Sequence, residues 1–333
     1  MIGQSVSVYG GGSWGTALAI HLARIGHEVH LWDRDPEHVA AMRRQRENRH
    51  YLPGIELPEK LIPEDDLAAT AQASYYHLVV IPSEFFRGFL SRLQGELPEV
   101  YRLIWATKGI EQQSGQLLHE VVEEELGEDT AYAIVSGPTF ATEVAREMPT
   151  AMAVAAHDAS LRQDVAALFH GLNLRMYTSD DVTGVELGGA VKNVLAIAAG
   201  ISDGLRFGAN ARAALITRGL AEIIRLGAAM GASQATLMGL AGLGDLVLTC
   251  TDDQSRNRRF GLALGQGKAA ERAMQEIGQV VEGAVTAKSV MKLMATAEVE
   301  MPICTLVYKI LYEDLSPEAA VPALLNRSLK AEY

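Results

Sequence analysis

The stretch that decides the fold is VSVYGGGSWGTALAIHLARIGHEVHLWDRD, residues 6–35. Its β-branched and apolar runs predict a strand over Val6–Tyr9, a helix over Thr16–Ile25 and a second strand over Glu28–Trp32. Glycine follows the helix, where a helix end is expected. Strand, helix and strand in this order indicate a βαβ unit, which belongs to a parallel sheet.

Between the first strand and the helix, Gly10, Gly12 and Gly15 form the motif G-x-G-x-x-G. The first glycine permits a tight turn, the second lets a pyrophosphate approach the backbone, and the third lets the helix pack on the strand. The N-terminus of that helix would face the anion with unpaired N–H groups. The motif predicts a dinucleotide site, with a plain glycine-rich turn as the alternative.

The second strand ends at Asp33 and Arg34. An acidic residue here would bind the ribose 2′-hydroxyl of NAD, whereas an arginine would hold the 2′-phosphate of NADP. Both are present, so the sequence leaves the preference open. Arg34 is the less expected residue and favours NADP, or the use of both cofactors. The alternative is a surface charge pair at a strand end.

The same alternation continues through the first half, and the second half is helical. Further strands are predicted at Tyr76–Ile81, Leu103–Ala106, Tyr132–Val135 and Ala151–Val154. Helical runs are predicted at Val182–Ile201, Ala211–Met230, Arg258–Leu264, Val285–Thr296, Ile303–Tyr312 and Pro317–Leu325. We therefore expect an α/β fold: a Rossmann-like, doubly wound, mostly parallel sheet followed by an all-helical C-terminal domain. The expected domains are residues 1–182 for dinucleotide binding and 183–333 for substrate binding.

Composition narrows the class of protein. Of 333 residues, 48% are apolar, a content that excludes a largely disordered chain. The net charge of −12 disfavours binding to nucleic acid or to an anionic membrane. Two cysteines, Cys250 and Cys304, make neither a disulfide framework nor a metal site. The start of the chain does not resemble a signal peptide, and the apolar segment Leu187–Ser202 is too short to span a bilayer. A cytoplasmic protein is expected.

Lys192 is the most unusual residue of the helical half. It is the only charged residue between Leu187 and Ser202, and helical spacing surrounds it with small or apolar side chains. A lysine on such a face is partly desolvated, which lowers its pKa and prepares a general base. A lysine that extends from a buried helix to solvent is the alternative, and the periodicity alone does not decide between them.

Three other segments have polar residues where ligands are expected. Lys108 and the run Ser136–Phe140 each follow a predicted strand, at the sheet edge where doubly wound folds bind ligands. Gly242–Asp245 precedes the run Thr249–Arg258, in which Ser255 can cap a helix whose start faces an anion. For the arginines of this run, a solvated helix face is the alternative.

The segments GGGSWGTALA, ATKGIE, SGPTFATEVA, GGAVKNVLAIAAGISDGL, GLAGLGDLVLTCTDDQSRNR and VVEGAVTA occur in this order. Together they resemble the bacterial-type NAD(P)-dependent glycerol-3-phosphate dehydrogenases, from the first strand to about Ala287. The resemblance implies reversible hydride transfer between C2 of sn-glycerol 3-phosphate and C4 of nicotinamide, with NADP(H) or NAD(H) and no metal. Reduction of dihydroxyacetone phosphate for glycerophospholipid synthesis would be the physiological direction.

The resemblance also implies roles for individual residues. Lys192 would be the general base for the C2 hydroxyl, and Lys108 would contact substrate and cofactor. The remaining substrate residues would be Gly137, Thr139 (Ser in many relatives), Asp245, Ser255, Arg256 and Asn257. The cofactor would be lined by Gly10, Gly12, Ser13, Trp14, Gly15, Arg34, Lys108, Ala141, Arg256, Val280 and Glu282.

Two alternatives remain beside this function. One is another two-domain hydroxyacid or ketopantoate-type dehydrogenase, and the other is a non-catalytic NAD(P) sensor. The expected partner is a small phosphate-bearing molecule, and a homodimer is left open because the sequence shows no distinct exposed apolar face.

Overall fold

A computed structural model describes residues 3–320 of the chain. Eight strands form one sheet in the order β3-β2-β1-β4-β5-β6-β7-β8, parallel throughout except that β6 and β7 are antiparallel. The strands are β1 (Ser5–Tyr9), β2 (Glu28–Trp32), β3 (Leu61–Glu64), β4 (Tyr76–Val79), β5 (Arg102–Trp105), β6 (Tyr132–Ser136), β7 (Thr150–Ala155) and β8 (Leu174–Ser179). The order reverses at β1, beside β4, where doubly wound sheets bind their ligands.

The six strands predicted from the sequence are all present, and the expected fold class is confirmed. The two edge strands, β3 and β8, were not predicted. β3 contains Pro63, a residue that an edge strand tolerates because one side of it needs no ladder hydrogen bonds. β8 is largely exposed, so its sequence lacks the apolar run that marks a buried strand.

Helices cover both faces of the sheet. They are α1 (Ser13–Arg24), α2 (Pro36–Gln45), α3 (Leu67–Gln72), α4 (Phe86–Gln94), α5 (Leu118–Leu126), α6 (Ala141–Ala145) and α7 (Ala159–Phe169), with a 3₁₀ turn at Ser83–Phe85. α1 begins three residues earlier than predicted, because the glycine turn leads directly into it. Separate apolar clusters lie on the two faces of the sheet.

The helical half is built around α8 (Val182–Gly204). The other helices are α9 (Gly208–Ala229), α10 (Gln234–Leu237), α11 (Asp245–Thr251), α12 (Arg256–Gly265), α13 (Ala270–Ile277), α14 (Glu282–Thr296) and α15 (Pro302–Tyr312), and a π-helical turn at Leu240–Gly244 precedes α11. Between residues 183 and 320 the structure contains no strand. The predicted helix Pro317–Leu325 lies partly outside the described residues, which end at 320.

α8 is longer than the segment that the sequence marked as too short to cross a membrane. Its 23 residues are long and apolar enough to do so by length and composition, but the apolar window is entirely buried inside the protein. Its first turns join the apolar cluster of the sheet, and the rest forms the centre of the helical core. α8 is therefore a core helix that connects the two halves.

α12 packs on α8 with direct backbone contact. A Cβ atom on Gly261 would lie 2.0 Å from the carbonyl oxygen of Ile197, and one on Gly200 would lie 2.1 Å from that of Arg258. The Arg258 guanidinium also binds Asp203 of α8 at 2.6 Å. These contacts hold α12 against residues 197–203 of α8, in the part of the helix that follows Lys192.

Candidate active site between the sheet and the helices

The glycine turn has the geometry that its motif predicts. Gly10 has a φ of 116°, a conformation that favours glycine. A Cβ atom on Gly15 would lie 2.0 Å from the Gly10 carbonyl oxygen, so only glycine allows α1 to approach β1 this closely. At Gly12, by contrast, a Cβ atom would meet no protein atom within 4 Å. The protein itself does not require glycine there, and a pyrophosphate lying against the backbone would.

The first turn of α1 supplies the donors for such an anion. Its N–H groups have no intrahelical partners, and they carry the positive end of the helix dipole. The Ser13 hydroxyl donates to the Tyr51 carbonyl at 2.7 Å and is therefore engaged away from this face. The backbone of Ser13, rather than its side chain, is the group that could hold a phosphate.

Asp33 and Arg34 have different surroundings. The Asp33 carboxylate accepts the Gly11 N–H at 2.9 Å and the Asp35 N–H at 3.0 Å, so it braces the glycine turn. Arg34 is exposed, lies 5.5 Å from the ring centroid of Phe85, and has no ion-pair partner within residues 3–320. It borders a cavity of about 540 Å³. Asp33 therefore serves the turn, and Arg34 is the side chain that remains available for a ligand.

Lys192 lies in a buried ionic cluster. Its ammonium group binds one carboxylate oxygen of Asp245 and donates to the Thr249 hydroxyl at 2.9 Å. The other oxygen of Asp245 accepts from Lys108 at 2.7 Å. Asp245 is fully buried and Lys192 is 6% exposed. One carboxylate thus holds two ammonium groups, one from each half of the chain, and the cluster has a formal charge of +1.

Burial lowers the pKa of Lys192 to about 8, although the Asp245 carboxylate favours its charged form. Lys108 lowers this pKa further by repulsion. An amine with a pKa near 8 can both donate and accept a proton close to neutral pH, as acid–base catalysis requires. The sequence left open whether Lys192 extends to solvent, and its burial excludes that alternative.

Lys108 connects the cluster with both expected ligand sites. Its ammonium donates to the Gly137 carbonyl at 2.9 Å and lies 6.0 Å from the ring centroid of Trp14 in the glycine turn. The same carbonyl accepts from the Thr139 hydroxyl at 3.2 Å. The ends of β5 and β6 therefore meet the lysine cluster beside the turn, as expected for the carboxyl edge of a doubly wound sheet.

The beginning of α12 is capped as predicted, because the Ser255 hydroxyl accepts the Arg258 N–H at 3.2 Å. Arg256 is partly buried and donates to Gln279 at 3.2 Å. Burial lowers the pKa of its guanidinium, and the nearby Glu282 opposes this shift. Arg258 binds Asp203 and Asp253 instead, so it is structural.

An amide chain connects α12 with the lysine helix. Asn257 donates to the Asn193 side chain at 2.9 Å and accepts the Gly283 N–H at 2.8 Å. Asn257 is thus tied to the residue that follows Lys192 in sequence. The structure brings the start of α12 next to Lys192, and Asn257 uses only one of the two N–H donors of its amide on Asn193.

The remaining cofactor residues lie around this edge. Glu282 begins α14 and accepts from the Ser83 hydroxyl of the sheet half at 3.2 Å, and burial raises its pKa to about 7. Ala141 begins α6 and is partly buried. Val280 is 37% exposed in the loop before α14.

Sequence reasoning gave no role to three polar residues of this region: Ser83, Asn193 and Thr249. Thr249 stands one helical turn after Asp245, and Asn193 directly follows Lys192, so their positions were signals that could have been used. Ser83 had no such signal. Among the described residues, no group of three or more His, Cys, Asp or Glu side chains could hold a metal ion.

Comparison with known proteins places these features in one family. A model described as the N-terminus of NAD-dependent glycerol-3-phosphate dehydrogenase matches residues 5–162, and one for the C-terminus matches residues 181–322. Over 328 residues the chain is 57% identical to a glycerol-3-phosphate dehydrogenase (NAD(P)+) of Thioalkalivibrio sulfidiphilus, with 98% of each chain covered. A counterpart from Shewanella sediminis is 55% identical over 328 residues, covering 98% of this chain and 97% of the relative. The crystal structure of a glycerol-3-phosphate dehydrogenase from Coxiella burnetii has a TM-score of 0.95 and 48% identity, over 98% of this chain and 99% of that one.

Proposed function

The chain belongs to the NAD-dependent glycerol-3-phosphate dehydrogenase family and is an NAD(P)-dependent oxidoreductase, and from this premise we propose that it interconverts sn-glycerol 3-phosphate and dihydroxyacetone phosphate through Lys192. The membership decides against the two alternatives, another hydroxyacid or ketopantoate-type dehydrogenase and a non-catalytic NAD(P) sensor. A bound nicotinamide supplies or accepts the hydride at its C4 atom.

The observation on which the proposal rests is that each lysine of the cluster has more N–H donors than it uses on protein. An ammonium group has three N–H donors. Lys192 uses one on Asp245 and one on Thr249, and Lys108 uses one on Asp245 and one on the Gly137 carbonyl. Each lysine therefore keeps one donor for a substrate oxygen. Two ammonium groups converging on one oxygen stabilise an alkoxide.

In the reducing direction, the Lys192 ammonium donates the proton that binds neither Asp245 nor Thr249. The acceptor is the oxygen on C2, where negative charge develops. In the oxidising direction, the neutral amine takes the proton from the C2 hydroxyl. Asp245 and Thr249 fix the Nζ atom, so that the proton moves along one direction. Lys108 stabilises the alkoxide from the side of the sheet.

For the substrate phosphate we propose the beginning of α12, with the Arg256 guanidinium and the capped helix start. Both supply positive potential to an anion in an acidic protein. Gly137 and Thr139 would contact the substrate from the end of β6. Asn257 would join this site, because the second N–H of its amide remains for the substrate while the first binds Asn193.

For the cofactor we infer a preference for NADP(H). The Asp33 carboxylate is engaged by two backbone N–H groups, whereas Arg34 is exposed and without an ion-pair partner among the described residues. A 2′-phosphate would find a free guanidinium there. We further infer that residues 1–182 bind the dinucleotide and residues 183–333 bind the substrate. We also infer a cytoplasmic location. The physiological direction that we propose is reduction of dihydroxyacetone phosphate, for glycerophospholipid synthesis.

The deciding experiment is steady-state oxidation of NADPH and of NADH after addition of dihydroxyacetone phosphate, with unphosphorylated dihydroxyacetone as the control. We expect turnover that depends on the phosphate and a higher kcat/KM for NADPH. No cofactor oxidation by a folded preparation would contradict the function. Equal kcat/KM values for the two cofactors would contradict only the proposed preference.

A further inference from the structure

A buried asparagine outside the glycine motif is bound to the glycine turn from behind. Asn48 is fully buried, and its side-chain amide donates to the Gly11 carbonyl and to the Thr16 hydroxyl, both at 2.8 Å. Its side-chain oxygen accepts the Tyr51 N–H at 3.1 Å. Both donors of Asn48 are thus spent on the turn, and its acceptor holds its own loop.

Asn48 belongs to a loop that is fixed independently of the turn, residues 46–57, here called the strap. Arg46 closes the strap: its carbonyl accepts the Leu57 N–H at 2.8 Å, and its guanidinium donates to the carbonyls of Leu57 and Pro58. The side chains of Leu52 and Ile55 are buried in the apolar cluster of the sheet half. The strap is therefore a rigid support rather than a loose connection.

The strap meets the turn at a second point. The Ser13 hydroxyl donates to the Tyr51 carbonyl at 2.7 Å. The oxygen atoms of Gly11, Ser13 and Thr16 consequently all have hydrogen-bond partners on the side of the strap. The opposite side of the turn is left to backbone N–H groups, which are the groups that bind anions.

The reason for such a support lies in the three consecutive glycines 10–12, which have the largest backbone freedom of any residues. A peptide unit is planar and trans, so the Gly11 carbonyl and the Gly12 N–H point in opposite directions. If this peptide flipped, its carbonyl oxygen would face the pyrophosphate and the N–H would face the strap. The hydrogen bond from Asn48 to the Gly11 carbonyl, at 2.8 Å, opposes that flip, and it is shorter than those from the Thr16 hydroxyl at 3.3 Å and the His38 ring at 3.4 Å.

We propose that Asn48 is a positioning residue for the dinucleotide: it holds the Gly11 carbonyl so that the N–H groups of Gly12 and the first turn of α1 face the pyrophosphate. The inference rests on the proposed dinucleotide site. It predicts that the strap affects cofactor binding but not substrate binding, because the side-chain hydrogen bonds of Asn48 go to the glycine turn and to its own loop.

The test is Asn48→Ala, with Arg49→Ala as the matched control, an exposed residue of the strap whose side chain binds Glu47. We expect the KM and the directly measured Kd for NADPH to rise about 5- to 50-fold, as for a lost buried hydrogen bond. The kcat at saturating NADPH and the KM for dihydroxyacetone phosphate should stay within about twofold of wild type, a split that a loss of fold would not produce. Arg49→Ala should leave all four values unchanged.

If Asn48→Ala does not fold, Ser13→Ala removes the second bond between strap and turn and should raise the NADPH Kd about 2- to 5-fold. Unchanged NADPH binding in a folded Asn48→Ala protein overturns the inference, and so does an equal rise of the cofactor and substrate KM values. Wild-type protein that binds neither NADPH nor NADH in the absence of substrate overturns the proposed function itself. Titration of wild type therefore distinguishes the two failures.

Discussion

The glycine turn and the lysine cluster lie side by side, but they are constructed in opposite ways. The turn consists of neighbouring residues, carries no charged side chain of its own, and offers backbone N–H groups. The cluster joins Lys108, Lys192 and Asp245, which are far apart in sequence, and it works through side-chain charge in a buried place. Backbone donors can be recognised from local sequence, whereas a buried charge cluster depends on which elements pack together.

The sharpest test of this contrast is Lys192→Ala, for which we expect a fall in kcat of roughly 10²–10⁴, the usual contribution of an acid–base group. NADPH binding should change little, since the lysine does not belong to the turn. Stopped-flow or steady-state rates with dihydroxyacetone phosphate measure the loss, and Lys268→Ala, an exposed lysine, is the control. Near-normal turnover by the folded variant would remove Lys192 from its role.

Arg256→Ala tests the phosphate site that we place at the start of α12. One lost charge-assisted hydrogen bond is worth about 1.5–3 kcal/mol, or roughly a 10- to 150-fold rise in the KM for dihydroxyacetone phosphate. The exposed Arg259 on the same helix supplies the matched control, Arg259→Ala. If the substrate KM of Arg256→Ala equals that of the control, the phosphate binds elsewhere.

Gly12→Ala tests whether the turn is shaped for a ligand rather than for the protein. We expect the KM for NADPH to rise about 10- to 100-fold because the new methyl group blocks the approach of the pyrophosphate. The melting temperature should stay the same or increase, since the methyl group would meet no protein atom within 4 Å and the site has a negative φ. Gly95→Ala, also without a neighbour within 4 Å, is the control. A large loss of stability would show that Gly12 serves the fold.

The pH dependence tests the cluster alone. Because the pKa of Lys192 is lowered to about 8, its ammonium form, which donates the proton in the reducing direction, is lost as the pH rises through 8. The kcat/KM for dihydroxyacetone phosphate reduction should therefore fall by up to about tenfold per pH unit above 8, whereas that for glycerol 3-phosphate oxidation should rise with pH up to about 8 and level off above it. Rates in both directions between pH 6 and 10 measure this. Parallel profiles in the two directions would contradict the assigned proton transfer.

The elements that could be predicted are those whose sequence patterns are short and local. The glycine turn, the six interior strands and the long apolar helices have patterns that are complete within about twenty residues. The edge strands β3 and β8 were missed because one contains a proline and the other faces solvent. The short helices α10, α11 and α13 were missed because they are set by packing around α8 rather than by a periodic pattern.

The candidate site likewise has a part that local sequence predicts and a part that depends on contacts between distant elements. The residues of the turn and the cap at Ser255 could be placed from sequence because each acts on its immediate neighbours. That Arg258 pairs with Asp203, and that Asn257 binds Asn193, could not be foreseen, because both bonds cross between two helices in contact. Asn48 gave no signal at all in the sequence, since nothing local connects it to the glycines that it holds.

By itself the sequence determined the βαβ unit, the glycine turn, the helical character of the second half and, through its resemblance to a family, the reaction class. Tertiary structure alone decided that one buried carboxylate would hold two lysines from different halves of the chain, and that a strap would fix the glycine turn. The physical reason is the separation along the chain over which each kind of interaction acts. Backbone hydrogen bonds and apolar periodicity act between near neighbours, whereas the environment of a buried charge is set by whatever other elements enclose it.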